Sequence, residues 1–210
     1  MFKVLQLNDP MVKQALKHEA LKGNKLIGRG AFSMVFEGSK SNTVYKVTLD
    51  DVNYWMLNCW SAGVSHKHFP KVYKNFGGIG DVSINKNSHK IFMYEMERLN
   101  KLERGTEASN VSTILTKLQN ASFENVFKYG LIDRAQFQIQ DMMRSKLLPR
   151  SIMNALRQLE EFACNYGHIG LDMHRANFMT RKNGTLVMSD PISSMRVLFD
   201  HRQQLKNRGY

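Results

Sequence analysis

The sequence predicts an α+β fold with two lobes, a five-stranded antiparallel sheet in the first and mainly helices in the second. Short β-forming runs separated by glycine-containing turns dominate the first half, and apolar residues spaced three and four apart dominate the second. With 210 residues and 42% hydrophobic side chains, the chain can bury the core of one domain. We place the lobes at 1–97 and 98–210.

The segment from Leu26 to Phe36 predicts a glycine-rich β-hairpin. It has glycines at 28 and 30, an aromatic residue at the loop tip and β-forming residues on both sides. Glycine permits positive φ and a close approach of backbone N–H groups to anionic oxygens, so such a loop can cover phosphates. A plain hairpin with a bulge fits the same pattern, and that alternative stays open.

The next predicted strand, Thr43 to Thr48, carries Lys46 at its centre. A lysine in a strand is usually solvated. After a glycine-rich loop, however, it is placed to reach the α- and β-phosphates of a nucleotide. Both interpretations are kept at this stage.

The strongest chemical pattern is formed by Asp172, Asn177 and Asp190. Asn177 follows Asp172 by five residues, and Asp190 follows Asn177 by thirteen. This is the spacing of a phosphotransfer site, with one carboxylate for an attacking hydroxyl and an amide and a second carboxylate for a metal. A hairpin with strands at 178–180 and 186–188 and a turn at 182–184 would bring them together. The alternative is an Asp-rich surface loop beside a buried strand.

The remaining elements follow from apolar spacing, breakers and caps. Helices are predicted at 9–22, capped near Asn8 or Asp9, at 50–62 and ended by Gly63, at 108–120, at 122–144, at 151–166 with Ser151 as its cap, and after 194. Further strands are predicted at 69–73 and 89–94, separated by a glycine-rich turn at 77–80. Two apolar stripes are expected to face the core: Val52, Trp55, Met56 and Cys59, and Ile152, Leu156, Leu159, Ala163 and Tyr166.

Composition narrows the classes of protein. No apolar run approaches a membrane span and the N-terminus lacks a signal-peptide core, so we expect a cytoplasmic protein. Cys59 and Cys164 are far apart and are expected to be buried thiols, without a zinc site. The net charge of +12 favours ATP, acidic proteins or nucleic acid as partners. No motif for specific nucleic-acid recognition is present.

In their order along the chain, these motifs are similar to those of the protein-kinase-like fold. The chain resembles the early serine/threonine protein kinases of autographivirus-type short-tailed bacteriophages. The resemblance rests on G-x-G-A-F-S-x-V-F, Y-K-V, F-P-K-V-Y, L-D-M-H-R-A-N-F-M and S-D-P-I-S. It spans about 26 to 194, except for about 100 to 148.

The resemblance implies phosphorylation of Ser or Thr in host proteins, with ATP and Mg²⁺ or Mn²⁺. It makes Asp172 the residue that positions and deprotonates the hydroxyl, and Asn177 and Asp190 the metal ligands. His174 either orients the loop or acts at the phosphate, and we favour the orienting role. The implied nucleotide contacts are Ile27, Gly28, Gly30, Ser33, Val35, Lys46 and, at the hinge that binds adenine, Glu95 and Glu97.

The implied location is the bacterial host cytoplasm, and the implied partners are host proteins such as RNA polymerase or RNA-processing enzymes. Two other functions stay open. A pseudokinase or binding protein would clamp an acidic host factor, and a small-molecule phosphotransferase is suggested by the D-x-H-x-x-N form of the loop.

The chain departs from eukaryotic kinases at the lysine and in its C-terminal part. No Glu lies between Glu37 and Glu95, so Asp50 or Asp51 is the candidate to pair with Lys46. Gly170 and Leu171 replace the His-Arg that precedes the catalytic Asp, so control by a phosphorylated loop is not expected. The sixteen residues after Ser194 are expected to form a basic helix that closes the second lobe or binds acidic partners.

Overall fold

A computed structural model describes residues 9–61, 66–126 and 134–207, with the side chains of 59–61 and 123–126 excepted. The chain forms two compact units. Unit 1 comprises the described parts of Met1–Ala62, Lys71–Arg98 and Arg196–Tyr210, and unit 2 comprises those of Gly63–Pro70 and Leu99–Met195. The sequence boundary at 97/98 had placed segment 63–70 in the first lobe and segment 196–210 in the second.

The described elements are six helices, ten strands and two 3₁₀ turns, at Glu19–Leu21 and Arg175–Asn177. The helices are α1 Pro10–Ala15, α2 Asp51–Ser61, α3 Glu107–Val126, α4 Arg134–Met143, α5 Arg150–Asn165 and α6 Met195–Asn207. The strands are β1 Leu26–Arg29, β2 Ser33–Glu37, β3 Thr43–Thr48, β4 Val72–Ile84, β5 Asn87–Glu97, β6 Asn100–Lys101, β7 Ile169–Leu171, β8 Phe178–Thr180, β9 Leu186–Met188 and β10 Ile192–Ser194.

Unit 1 is built on one five-stranded sheet with the order β1–β2–β3–β5–β4, in which every pairing is antiparallel. Alternate residues of the inner strands point to the core, as the period of a strand requires. The core combines these residues with side chains of α1 and α6, and it includes Met11, Val12, Ala15, Met34, Phe36, Val47, Ile91, Met93 and Val197. The predicted α+β class and five-stranded antiparallel sheet are confirmed.

The hairpin of β4 and β5 corrects the sequence prediction. The predicted turn at 77–80 lies inside β4, where the pairing with β5 shifts register twice between Asn75 and Gly80. Such β-bulges explain the glycines, since Gly77 has φ of +73°. The chain reverses instead at Asn85 and Lys86, which have φ of 49° and 68° as a two-residue hairpin turn requires.

The helices of unit 1 partly match the prediction. The predicted helix 9–22 is wrong in extent: after α1 the chain is extended at His18, whose Nδ1 accepts the Ala20 N–H at the start of a 3₁₀ turn. Helix α2 begins as predicted, and Asp50 caps it by accepting the Asn53 N–H at 2.9 Å. Trp55 is 41% exposed, so it does not belong to the buried face of α2. Gly63 and the Cys59 side chain lie outside the described residues.

Unit 2 packs three helices beside two small sheets, β6–β8–β9 and β7–β10. Helix α3 continues to 126, so the predicted break near 121 is wrong. Helix α5 begins at Arg150 with Pro149 at its N-cap position, rather than Ser151. Its predicted stripe is confirmed at Ile152, Leu156 and Leu159. Ala155 and Phe162 complete it, whereas Ala163 and Tyr166 are only half-buried.

Two further expectations concern the cysteines and membrane-spanning helices. Cys164 is exposed on α5, so its prediction as a buried thiol is wrong. In the described part of the chain, no helix has both the length and the apolar character needed to cross a membrane.

From Arg196 onward, helix α6 belongs to unit 1. Val197 is part of the unit 1 core, and Asp200 is buried. The Asp200 carboxylate accepts hydrogen bonds from Asn87 at 2.9 Å and from Nε2 of His89 at 2.8 Å, both on β5. A buried carboxylate needs such partners, and these two attach the helix to the sheet.

Candidate active site

The predicted phosphotransfer residues of unit 2 lie on two adjacent segments. Asp172 follows β7, and Asn177 ends the 3₁₀ turn that leads into β8. Asp190 lies between β9 and β10. Strands β7 and β10 pair with Leu171 opposite Ile192, so the two segments leave the same small sheet side by side.

Asn177 joins the two segments through its side chain. Its Nδ2 group donates to the backbone carbonyl of Asp172 at 2.7 Å and to that of Asp190 at 3.0 Å. In return, the carbonyl of Asn177 accepts the N–H and the hydroxyl of Ser189 at 2.8 and 3.0 Å. The Asp172 N–H donates to the carbonyl of Pro191 at 2.9 Å. The structure therefore brings together the three residues that the sequence singled out.

This arrangement suits a hard cation shared with a ligand. Because Asn177 uses its amide nitrogen within the protein, its amide oxygen is the atom that remains for a metal, and Asp190 carries a carboxylate on the adjacent segment. No group of three or more His, Cys, Asp or Glu residues that could hold a metal lies in the described part of the chain. Mg²⁺ needs no such cage, because it typically takes one or two protein ligands together with substrate phosphates and water.

His174 has a polar contact at each ring nitrogen. Its Nδ1 accepts the Ala176 N–H at 3.2 Å and so caps the 3₁₀ turn. Its Nε2 therefore carries the proton in the neutral ring, and it lies 3.4 Å from Oδ1 of Asp172. These contacts favour the orienting role for His174.

The hairpin between Asn177 and Asp190 is confirmed. Strand β8 pairs with β9 with Phe178 opposite Met188 and Thr180 opposite Leu186. Gly184 has φ of +80°, as the turn required. The β9 residues are buried and anchor the hairpin within unit 2.

Segment 66–70 is hydrogen-bonded to this hairpin, a contact that the sequence did not indicate. The ring of His68 contacts the Leu186 carbonyl through Nδ1 at 2.6 Å and the Ser151 hydroxyl through Nε2 at 3.0 Å. Its own carbonyl accepts the Met188 N–H at 2.8 Å. The guanidinium of Arg181 donates to the carbonyls on either side, at 67 and 69. The imidazole donates through Nδ1 in its neutral form.

The pH dependence of stability should report this contact. Burial lowers the pKa of the His68 imidazole below its usual value, and nearby cationic groups lower this pKa further. The hydrogen bond to the Leu186 carbonyl raises the pKa but does not outweigh these causes. Between the lowered folded pKa and the unfolded value of about 6.5, the unfolded chain binds the proton more readily. Stability should be full above about pH 6.5 and decrease as the pH falls below it.

Urea unfolding of wild type and His68→Asn at pH 7.5 and 5.5 measures this effect. Asparagine retains an N–H donor near the position of Nδ1 but cannot titrate. The His68→Asn protein should therefore lose less stability than wild type between pH 7.5 and pH 5.5. His168→Asn is the matched control, because His168 is exposed and has φ of 61°, which asparagine tolerates. Equal pH dependence in wild type and His68→Asn would contradict the assignment.

In unit 1, the glycine-rich hairpin is tight. Its strands pair with a register shift between Leu26 and Gly28, and the Gly30 N–H donates to the Ser33 carbonyl at 2.8 Å. Neither glycine has positive φ, so that reason for their presence is wrong. Space is limited at Gly30, where a Cβ would lie 3.1 Å from the Ser33 hydroxyl. A Cβ on Gly28 would lie 3.4 Å from Cβ of Val35, an ordinary contact distance, so space does not explain that glycine.

The loop tip turns back onto unit 1. The Phe32 carbonyl accepts the Leu49 N–H at 2.9 Å, and its ring lies edge-on to His201 of α6, with centroids 5.3 Å apart. Ile27 is 38% exposed, and Val35 is half-buried opposite Lys46. The tip of the hairpin thus contacts the rest of unit 1, and the Ile27 side chain is exposed.

Lys46 lies at the centre of the sheet, opposite Val35 on one side and Tyr94 on the other. It is only 4% exposed, so the alternative of a solvated strand lysine is wrong. Lysine is rarely buried without a charged or polar partner. Asp50 caps α2, and Asp51 lies 3.5 Å from Arg196. That either aspartate pairs with Lys46 stays a prediction.

Glu95 and Glu97 are held inside unit 1. The Glu95 carboxylate accepts bonds from the N–H and hydroxyl of Ser39 and from the hydroxyl of Thr43. Burial raises its pKa, but these donors outweigh burial, and the pKa lies below its usual value. Glu97 accepts the Lys71 N–H, and its own N–H donates to the Lys71 carbonyl, both at 2.9 Å. Both carboxylates thus hold neighbouring segments of unit 1 together. That the hinge at Glu95 and Glu97 binds adenine stays a prediction.

A scan against protein-family models found no match, and a search of curated proteins found no significant match.

Proposed function

We propose that the chain is an ATP-dependent protein kinase that phosphorylates Ser or Thr of host proteins during phage infection. One observation carries the proposal: the Asn177 amide bonds to the backbone of both Asp172 and Asp190. A surface loop has no requirement for an amide that links two carboxylate-bearing segments. A phosphotransfer site has that requirement, because the hydroxyl base and the metal ligands must be held at fixed separations.

In this proposal Asp172 accepts the proton of the attacking hydroxyl, and Asn177 and Asp190 hold Mg²⁺ or Mn²⁺. The metal, when bound, neutralises charge on the transferring phosphoryl group. His174 orients Asp172 through the 3.4 Å contact. Host RNA polymerase and RNA-processing enzymes are the proposed substrates, in the bacterial cytoplasm, on the strength of the sequence resemblance.

Lys46 would contact the α- and β-phosphates of ATP, and the hairpin that contains Gly28, Gly30 and Ser33 would cover the phosphates. What supports the role of Lys46 is its burial at 4% exposure in the central strand. An ammonium group is seldom kept at such a position for solubility, since exposed positions serve that purpose.

The test is incubation of purified protein with γ-labelled ATP, Mg²⁺ and a bacterial lysate, followed by phosphoamino acid analysis of labelled proteins. Label on serine or threonine of lysate proteins is expected. Transfer to an aminoglycoside but to no protein would indicate a small-molecule phosphotransferase. Capture of lysate proteins without any transfer would indicate a binding protein and contradict the proposal.

Lys46→Met should lower the rate of labelling by about 10-fold or more, because methionine retains the aliphatic bulk and loses the charge at the phosphates. Lys90→Met is the control, since Lys90 is an exposed strand residue on β5. Rates and melting curves should be recorded on the same preparations. Equal labelling rates in Lys46→Met and wild type would show that the ammonium group has no role at ATP.

A further inference from the structure

The backbone on both sides of Asp172 is bonded to one side chain of α3. Gln119 donates from Nε2 to the Leu171 carbonyl at 3.2 Å, and its Oε1 accepts the Met173 N–H at 2.6 Å. Its amide thus imitates a neighbouring β-strand, with one donor and one acceptor matched to the residues before and after Asp172.

Thr116 lies one turn earlier on the same face of α3. Its hydroxyl is 2.8 Å from the Met173 carbonyl and 3.0 Å from the Ser112 carbonyl, so one proton is shared between the two acceptors. The Met173 side chain is 1% exposed and anchors this point of the loop in unit 2.

With these bonds, every backbone polar group from the Leu171 carbonyl to the Met173 carbonyl has a partner. The Asp172 N–H bonds to Pro191, and the Asp172 carbonyl bonds to Asn177. The Asp172 side chain is 40% exposed. A partly exposed carboxylate on a fully bonded backbone has its position set by those backbone bonds, and three of the five groups are bonded from α3.

We propose that Gln119 and Thr116 are positioning residues that hold the Asp172 carboxylate at the place where it receives the proton of the acceptor hydroxyl. This inference rests on the proposed kinase function. Neither residue touches ATP or the acceptor in this assignment. Each acts through the backbone of Asp172, and a displacement of about 1 Å at such a group can cost about 100-fold in rate.

The test compares Gln119→Met, Gln119→Glu, Thr116→Val and Thr116→Ser, with the lysate protein that wild type labels most heavily as the acceptor. Methionine keeps the length and helix propensity of glutamine but removes both bonds. Glutamate keeps the acceptor for Met173 and loses the donor to Leu171. Valine matches the shape of threonine without its hydroxyl, and serine restores the hydroxyl.

We expect kcat to fall about 10- to 100-fold in Gln119→Met, with KM for ATP and for the acceptor within about threefold of wild type. The kcat of Gln119→Glu should lie between those of wild type and Gln119→Met. Thr116→Val should lose about 3- to 10-fold, and Thr116→Ser should recover most of it. Asn120→Met, at an exposed position of α3, should match wild type. Assays are run well below the melting temperature of every variant.

A double-mutant cycle with Asp172→Asn decides whether the effect passes through the carboxylate. If Gln119 acts by positioning Asp172, Gln119→Met should lower the residual rate of Asp172→Asn by less than about twofold. A further fall as large as in wild type would overturn the inference, as would an unchanged kcat in Gln119→Met.

The two proposals fail in different ways. If wild type transfers phosphate and loses it with Asp172→Asn, while Gln119→Met and Thr116→Val have the wild-type kcat, only the positioning role is wrong. If wild type labels no protein, the kinase function is wrong, and the positioning role falls with it.

Discussion

Asp172→Asn should lower phosphoryl transfer about 10²- to 10⁴-fold and leave the free energy of unfolding close to that of wild type. Asparagine cannot accept the proton of the hydroxyl. It can adopt the same loop, because the hydrogen bonds to Pro191 and Asn177 use only the backbone of Asp172. The altered carboxylate is 40% exposed, so its replacement removes little packing. The measurement is the rate of label transfer, with urea unfolding of the same protein.

Asp81→Asn is the matched control, since it makes the same chemical change at an exposed position of β4. It should transfer label at the wild-type rate. Label in lysate proteins at equal rates with wild type and Asp172→Asn would mean that Asp172 has no role in transfer, and it would remove the basis of the proposed kinase function.

The hairpin between Asn177 and Asp190 could be predicted because its signals are short-range features of the sequence. The turn at 182–184, with Asn-Gly between two β-forming runs, is a short-range signal, and it correctly predicted strands β8 and β9. Once the hairpin is known, Asn177 and Asp190 at its two ends must lie close together. The prediction was therefore geometric and needed no knowledge of distant contacts.

The residues that hold the site could not be predicted in this way. Gln119 and Thr116 are polar residues on an amphipathic helix, and from sequence alone they are typical of a solvated face. Their partners lie 52 to 57 residues away, at Leu171 and Met173. Likewise, glycines at 77–80 signal a turn, and only the pairing with β5 shows that they are bulges within a long strand. Contacts distant in sequence decide both cases.

The same limit applies to α6. Val197, Leu198 and Leu205 predict a helix with a buried face, but apolar spacing does not indicate which part of the protein covers it. A specific polar contact identifies the neighbour: Asp200 bonds to His89 and Asn87 of β5. Helix α6 therefore packs on the sheet of unit 1, whose strands come from the first half of the sequence.

Truncation after Phe199 should consequently lower the melting temperature, and it should not act simply as removal of a basic tail. The truncated chain lacks Asp200, which is 4% exposed and accepts hydrogen bonds from two β5 side chains. His89 is 1% exposed, and its Nδ1 has no hydrogen-bond partner within the described residues, so both ring nitrogens would be left unpaired. Removing one partner of such a buried contact costs about 2 to 4 kcal/mol.

A loss of that size corresponds to a decrease of about 4 to 16 °C in the melting temperature of a 210-residue chain. Asp200→Ala should reproduce most of it within the full-length protein, whereas Lys206→Ala, at an exposed position of the same helix, should change it by about 1 °C or less. Circular dichroism melting of the three variants provides the measurement. The competing expectation is that the basic segment only binds acidic partners. In that case the truncated protein would melt like wild type, and its pull-down of acidic proteins would become weaker and less sensitive to salt.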